Sequence, residues 1–251
     1  MEVNIFGEGA VGYKNIVKSS SSQDFFLYKK YKNYAVCTVA DGHSMDVFKY
    51  SHIGSYLACQ SVFEILKTYK LNEDIEKGEQ NFICDLKNKK VQNDIKNKWR
   101  DLVYREFYKR NYKVYKLDYM LFGTTLSFVI FLKEYIVFFN LGDSSILIKE
   151  DKDYVNVFKN NNFKFVNSLA LYNCEEKMQY SILKMNKDFK LVISTDGFIN
   201  SFETYYKLKS ELDRTFQILE KDIFSNRYLR NIYKKHLSNI SKYGSKDDIS
   251  I

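Results

Sequence analysis

Between Tyr34 and Ala40 six apolar residues and one Thr follow one another, Y-A-V-C-T-V-A, and run straight into Asp41-Gly42-His43-Ser44. A short unbroken apolar run reads as a strand buried on both faces. Asp41 therefore stands where a core strand opens onto a turn, carrying a charge that the core cannot host. The run L-V-I-S-T at 191–195 enters Asp196-Gly197 in the same way. Two carboxylates presented alike are placed to meet over one cation.

The same pattern predicts the remaining elements. Residues 1–14 read as an opening strand and Lys18–Gln23 as a polar turn. The stretch D-F-F-L-Y from Asp24 reads as a strand pairing with 34–40, which sets Asp24 beside Asp41. Val47, Ile53, Leu57, Ala58, Val62, Ile65 and Leu66 recur at helical spacing, predicting a long helix over about 45–69. Residues 70–90 are polar and carry no element, and Val91, Ile95, Trp99, Leu102, Val103 and Phe107 outline a second helix. From Gly123 the period changes to that of strands: 123–132, 135–144 and 145–149 read as a β-meander. Strands are expected at 154–158, 180–185 and 189–194, the last two joined through an N-K-D turn, with 159–179 an irregular surface segment. Two helical stretches near 198–220 and 221–239 and a short last strand close the chain. Runs of strands between runs of helices fit an α+β layered sandwich better than alternating βαβ units.

Composition narrows this picture. No linker-like break divides the chain, so one domain over 1–251 is expected. There is no Pro and only ten Gly, so the turns must use Asn, Asp, Lys and Ser. The net charge of +8 comes from 39 Lys and Arg against 31 Asp and Glu, spread along the whole chain without an Arg-rich block. That argues against nucleic acid as a partner. The longest nearly apolar run, 126–132, is too short to span a bilayer, and the N-terminus lacks a signal-peptide pattern, so no membrane partner and a cytoplasmic location are expected. Cys37, Cys59, Cys84 and Cys174 show no C-x-x-C spacing and read as small buried hydrophobes in a reducing compartment.

An Asp-Gly turn alone is a weak signal, because it is among the commonest turn dipeptides. The order of such signals is more specific: Q-D at 23–24, A-D-G-H-S at 40–44, F-G-T-T-L at 122–126, N-L-G-D-S at 140–144, S-T-D-G-F at 194–198 and K-D-D-I-S at 246–250. From Asp24 to Ile251 this ordered set resembles the metal-dependent protein phosphatases of the 2C type. The resemblance implies a four-layered α-β-β-α sandwich, with two central mostly antiparallel sheets flanked by helix pairs. It implies a centre of two Mg²⁺ or Mn²⁺ ions, with room for a third, weaker one. Carried over by position, Asp41 bridges the ions and the carbonyl of Gly42 binds one of them. Asp196 and Asp247 bind the other, Asp24 acts close by, Asp143 serves the third ion, and Gly123-Thr124-Thr125 is structural. His43 matches the general acid, and the implied reaction is hydrolysis of phosphoserine or phosphothreonine proteins by a hydroxide bridging the ions. The partners implied are phosphoproteins and their cognate kinase.

The residue types agree. An all-oxygen donor set selects hard cations such as Mg²⁺ and Mn²⁺. An imidazole with an ordinary pKa of about 6.5 donates a proton near neutrality. His52 and His236 lack acidic motif neighbours and read as ordinary helix or surface residues. The family's phosphate-gripping Arg has no counterpart, since residues 1–23 contain no Arg; Lys14 and Lys18 are the substitutes on offer, as point charges. Asp248 stands where Asn is common. The missing Arg leaves a second reading: a phosphatase-like module, weak or inactive in turnover, that binds phosphoproteins. Asp151-Lys152-Asp153-Tyr154-Val155 also fits the nucleophile motif of haloacid-dehalogenase-like phosphatases, but without the apolar strand before it. No oligomerisation signal appears, so a monomer is expected.

Overall fold

The protein is represented by a computed structural model that describes residues 3–110, 116–158, 166–185, 190–221 and 226–251. In chain order the elements are β1 (Gly9–Ala10), α1 (Tyr13–Val17), β2 (Phe25–Lys30), β3 (Ala35–Ala40), α2 (Ser51–Thr68), α3 (Ile75–Lys87) and α4 (Lys90–Lys109). Then follow β4 (Leu126–Phe131), β5 (Tyr135–Leu141), β6 (Ser145–Glu150), β7 (Asp153–Asn156), β8 (Gln179–Lys184) and β9 (Leu191–Ser194). The chain closes with α5 (Asp196–Ile199), α6 (Tyr205–Lys221), α7 (Asn226–Tyr243) and β10 (Ile249–Ser250).

One sheet runs β2-β3-β4-β5-β8 and a second β7-β6-β9, with β1-β10 as a two-stranded pair, and every pairing is antiparallel. The pair continues the second sheet, because Thr195, next after β9, donates its N–H to the Ser250 carbonyl at 3.0 Å. Strand alternation sorts the apolar residues onto two faces. Val36 and Ala40 of β3, Leu126, Phe128 and Ile130 of β4, and Val137, Phe139 and Leu141 of β5 join the core beneath α2, α3 and α4. Their sequence neighbours Ala35, Val39, Val129, Phe131, Ile136 and Phe138 meet Ile146 and Ile193 between the sheets. A third core joins Leu147 and Val192 to Leu208, Leu212 and Leu237 of α6 and α7. Three apolar layers thus separate four layers of structure, the expected sandwich. Trp99 is fully buried, and its indole N–H finds the Gly54 carbonyl at 3.0 Å, which satisfies its polar edge.

Several expectations need correction. The polar stretch 70–90 contains helix α3, capped by Asp74, whose side chain accepts from Lys77 N. Only Phe82 and Leu86 bury there as large apolar residues, too few to announce a period, while buried Glu79 fastens the helix by accepting from Glu134 N at 3.1 Å. Helix α2 starts at Ser51, six residues later than the pattern suggested, after a short 3₁₀ turn over Asp46–Phe48. The opening segment holds only a two-residue strand before α1. Strand β6 does not extend the meander but crosses to the second sheet. β8 and β9 lie in different sheets and form no hairpin; the N-K-D turn between them lies outside the described residues. The segment 159–179 is not superficial where it is described. Leu169, Ala170, Cys174 and Met178 are buried against the first core, residues 159–165 lying outside the description. All four cysteines are free, but only Cys59 and Cys174 are buried as expected; Cys37 is partly exposed and Cys84 exposed. Among the described residues no helix is long and apolar enough to cross a membrane.

Candidate metal centre

Antiparallel pairing of Phe25 with Ala40 puts the start of β2 and the end of β3 side by side, so Asp24 and Asp41 emerge at one edge. Asp143 follows β5, Asp196 follows β9 and Thr195, and Asp247 precedes β10. These strand ends share one end of the sandwich, and the carboxylates feel one another. Burial pushes Asp41 well above the ordinary carboxylate range, helped by repulsion from Asp24, Asp196, Asp143 and Asp247. Asp24 is raised well above that range by burial and by Asp248, Asp247 and Asp196, although the Thr195 hydroxyl donates to its Oδ2 at 2.6 Å. Asp143 is pushed up to about 6, chiefly by burial and then by Asp196 and Asp247. Asp196 is raised by burial, against the pull of a side-chain hydrogen bond with Asp41. Such mutual repulsion is stable only where something compensates it.

The backbone that aims Asp41 is locked by G-T-T. Thr125 N donates to the Asp41 carbonyl at 2.9 Å, Thr124 Oγ1 to the same carbonyl at 2.9 Å, and Asp41 N to Thr125 Oγ1 at 2.9 Å. Two main chains crowd the next residue. A Cβ on Gly42 would stand 2.6 Å from the Gln23 carbonyl oxygen and 2.9 Å from that of Ser51, so only glycine fits. At the other turn a Cβ on Gly197 would meet the Asp248 carbonyl oxygen at 2.0 Å. The two Asp-Gly dipeptides are therefore close-approach sites in addition to turns.

Of the remaining sequence-predicted residues, His43 lies beside the cluster in sequence with its ring packed on Phe48, centroids 4.7 Å apart. Burial lowers its pKa to about 4, in place of the ordinary value on which proton donation near neutrality was reasoned. Lys14 reaches the cluster but not as an unengaged phosphate ligand: its ammonium is paired with Asp247 Oδ1 at 2.5 Å. Lys18 lies exposed just after α1 and forms no ion pair among the described residues. His52 is an exposed residue of α2, and His236 of α7 is bonded to Glu211 of α6 at 2.7 Å.

Sequence reasoning missed the supports. Buried Asp248 accepts from Gly12 N at 2.5 Å, Asn15 Nδ2 at 2.8 Å and Gln23 N at 2.7 Å. Three donors on two carboxylate oxygens explain why Asp stands there; an Asn amide would turn one acceptor into a donor. Gln23 Nε2 donates to the His43 carbonyl at 2.9 Å and to Ser51 Oγ at 2.8 Å, fixing the D-G-H turn from the other side. Their only sequence signal was adjacency to the acidic motifs.

A family model described as protein phosphatase 2C matches residues 11–238. The chain belongs to the protein phosphatase 2C family. Its fold is that of solved protein phosphatase 2C structures at low identity. A serine/threonine phosphatase of S. agalactiae is similar at 17% identity over 98% of this chain and 96% of that one, with a TM-score of 0.60. Serine-threonine phosphatase 2C from Toxoplasma gondii matches at 11% identity over 97% and 92%, with a TM-score of 0.61. The catalytic domain of the phosphatase PstP in complex with two manganese ions matches at 11% over 97% and 94%, with a TM-score of 0.57. The curated proteins give no match.

Whether these residues suit a metal can be tested on their own chemistry. Among the described residues no group of three or more His, Cys, Asp or Glu side chains is already arranged to hold an ion. The donors nevertheless fit a hard divalent cation in kind. They are carboxylates that repel one another, and Asp143 Oδ1 is buried without a hydrogen-bond partner.

Proposed function

We propose that this protein phosphatase 2C member is a metal-dependent phosphatase of phosphoserine and phosphothreonine proteins. The observation that carries the reading is the gathering of Asp24, Asp41, Asp143, Asp196 and Asp247, from five separate stretches of chain, into one mutually repelling patch. Asp41, the Gly42 carbonyl, Asp196 and Asp247 would hold two Mg²⁺ or Mn²⁺ ions, with Asp24 close by and Asp143 toward a third, as supported by the two manganese ions of the PstP complex. When bound, such ions activate water and offset charge on a phosphoryl group. The chain's own part is positional. G-T-T and Gln23 hold the D-G-H turn. His43 would give its proton to the departing serine or threonine oxygen, a poor leaving group, and because burial holds its pKa at about 4 in the free protein this role requires an anionic phosphate beside it to favour the protonated ring. The free cysteines support a reducing, cytoplasmic setting.

One observation favours the reading of weak turnover. Lys14 sits on Asp247, and residues 1–23 supply no Arg for the phosphate. The deciding assay is hydrolysis of an aryl phosphate and a phosphothreonine peptide with added Mn²⁺ or Mg²⁺. Metal-dependent release of phosphate from both is expected; background release from a folded protein across both metals would leave only the binding module.

A further inference from the structure

Lys14 is the one ammonium the described structure pairs directly with a carboxylate of the cluster, at 2.5 Å from Asp247 Oδ1. Its position is not that of a wandering surface lysine. Helix α1, which carries it, is riveted to the chain's last segment: Lys14 N donates to the Lys246 carbonyl at 3.0 Å, Tyr13 N to Ser241 Oγ at 3.1 Å, and Gly12 N and Asn15 Nδ2 to Asp248. The backbone at residue 14 and the carboxylate at 247 are thus fixed relative to each other. The ammonium also acts on Asp41, Asp248 and Asp196 through space. Asp248 N takes the same Asp247 oxygen at 2.9 Å, so that carboxylate is already occupied by two donors.

We propose that Lys14 is a tethered competitor of the divalent ion at Asp247: its ammonium compensates this carboxylate in the metal-free protein and must leave it before an ion can use it. The inference rests on the metal-dependent reading above. It makes the two ion positions unequal. An ion that does not use Asp247 would leave the Lys14 pair in place, whereas one that needs Asp247 must displace Lys14. The tether also lets the cluster fold without metal, because one of its negative charges is cancelled from within. Because the pair is partly exposed, 32% and 39% for the two side chains, the competition is modest in size.

The test is calorimetric titration of the full chain with Mn²⁺, which reads binding rather than turnover. Lys14→Met is expected to tighten the weaker of the two sites about fivefold, the factor that a partly exposed ion pair can supply. In EDTA the same variant should melt below the wild type. Lys14→Arg keeps the charge and should reproduce the wild-type titration; should the Met variant not fold, a Lys14→Arg titration tighter than the wild type's would count against the proposal. In an Asp247→Asn background, Lys14→Met should tighten Mn²⁺ binding much less than in the wild type, because only its through-space action on Asp41, Asp248 and Asp196 is then removed. If the wild type binds two ions and folded Lys14→Met binds them no more tightly, the Lys14 proposal fails and the phosphatase reading stands. If neither protein binds Mn²⁺ at all, both fail.

Discussion

Two acidic regions of this molecule answer the cost of a partly buried carboxylate in opposite ways. At the sheet ends Asp24, Asp41, Asp143 and Asp196 are raised by burial and by one another. On α6, Asp213 is surrounded by donors. Lys149 Nζ reaches its Oδ1 at 2.5 Å, Lys209 Nζ its Oδ2 at 2.8 Å and the Tyr154 hydroxyl its Oδ1 at 3.0 Å, and the hydrogen bonds to Lys149 and Lys209 hold it well below the ordinary carboxylate range. The second arrangement is complete within the chain and works as a clamp between α6 and the second sheet. The first is incomplete, which is what marks it as the candidate site.

The contrast can be broken by mutation. The largest effect expected is on turnover: Asp41→Asn should lower Mn²⁺-dependent phosphate release by at least about 10²-fold, the scale of losing one electrostatic group at a reacting centre. Retained turnover would remove Asp41 from the site. Next comes stability. Asp213→Asn should cost about 1–2 kcal/mol in urea unfolding, because its two lysines and a tyrosine lose a charged acceptor. Asp41→Asn should instead raise the stability of the metal-free protein, by about 1 kcal/mol, since it removes repulsion. Losses of equal sign in both variants would erase the distinction.

The smallest effect is on pH dependence, and the two regions differ in sign. Asp213 has a folded pKa below the unfolded value of about 3.9, so its contribution is present above that pH and fades only as pH falls through the folded value. The raised carboxylates behave oppositely: what they contribute is fully present below about pH 3.9 and is lost as pH rises through their folded values, Asp143's being about 6. In EDTA the wild type should therefore unfold at lower urea at pH 7.5 than at pH 5, and Asp41→Asn should flatten that difference. A metal-free protein equally stable at both would contradict the repulsive cluster.

The layered fold was legible where side chains follow a period. Strands β2 to β5 emerge from short apolar runs rich in β-branched and aromatic residues, and helices α2 and α4 from 3.6-residue spacing, because each has apolar faces to bury. Helix α3 was not legible, since it docks through Phe82, Leu86 and the buried acid Glu79 and shows the sequence a mostly polar stretch. Sheet membership was not legible either. Nothing in S-I-L-I-K tells that β6 leaves its neighbour β5 for β9, because an apolar run reports burial and not the identity of its partner. At the site the acidic residues stood out through motif order, while the bracing roles of Asp248 and Gln23, though both stand inside those motifs, did not, because they work through hydrogen bonds to residues far along the chain. Lys14 was found as a charge near the right place, and the structure pairs its ammonium with Asp247.

The bonds from Asp248 to Gly12, Asn15 and Gln23 close loops of up to 236 residues, and β1 pairs with β10 across a similar span. Contacts so distant in sequence form late, after most of the chain's loop-closure entropy has been spent, and they slow folding. During synthesis Asp24 and Asp41 emerge about 200 residues before Asp247 and Asp248. The site is therefore completed only by contacts that span most of the chain, and a nascent chain long enough for its first sheet carries Asp24, Asp41 and Asp143 but neither Asp196 nor Asp247.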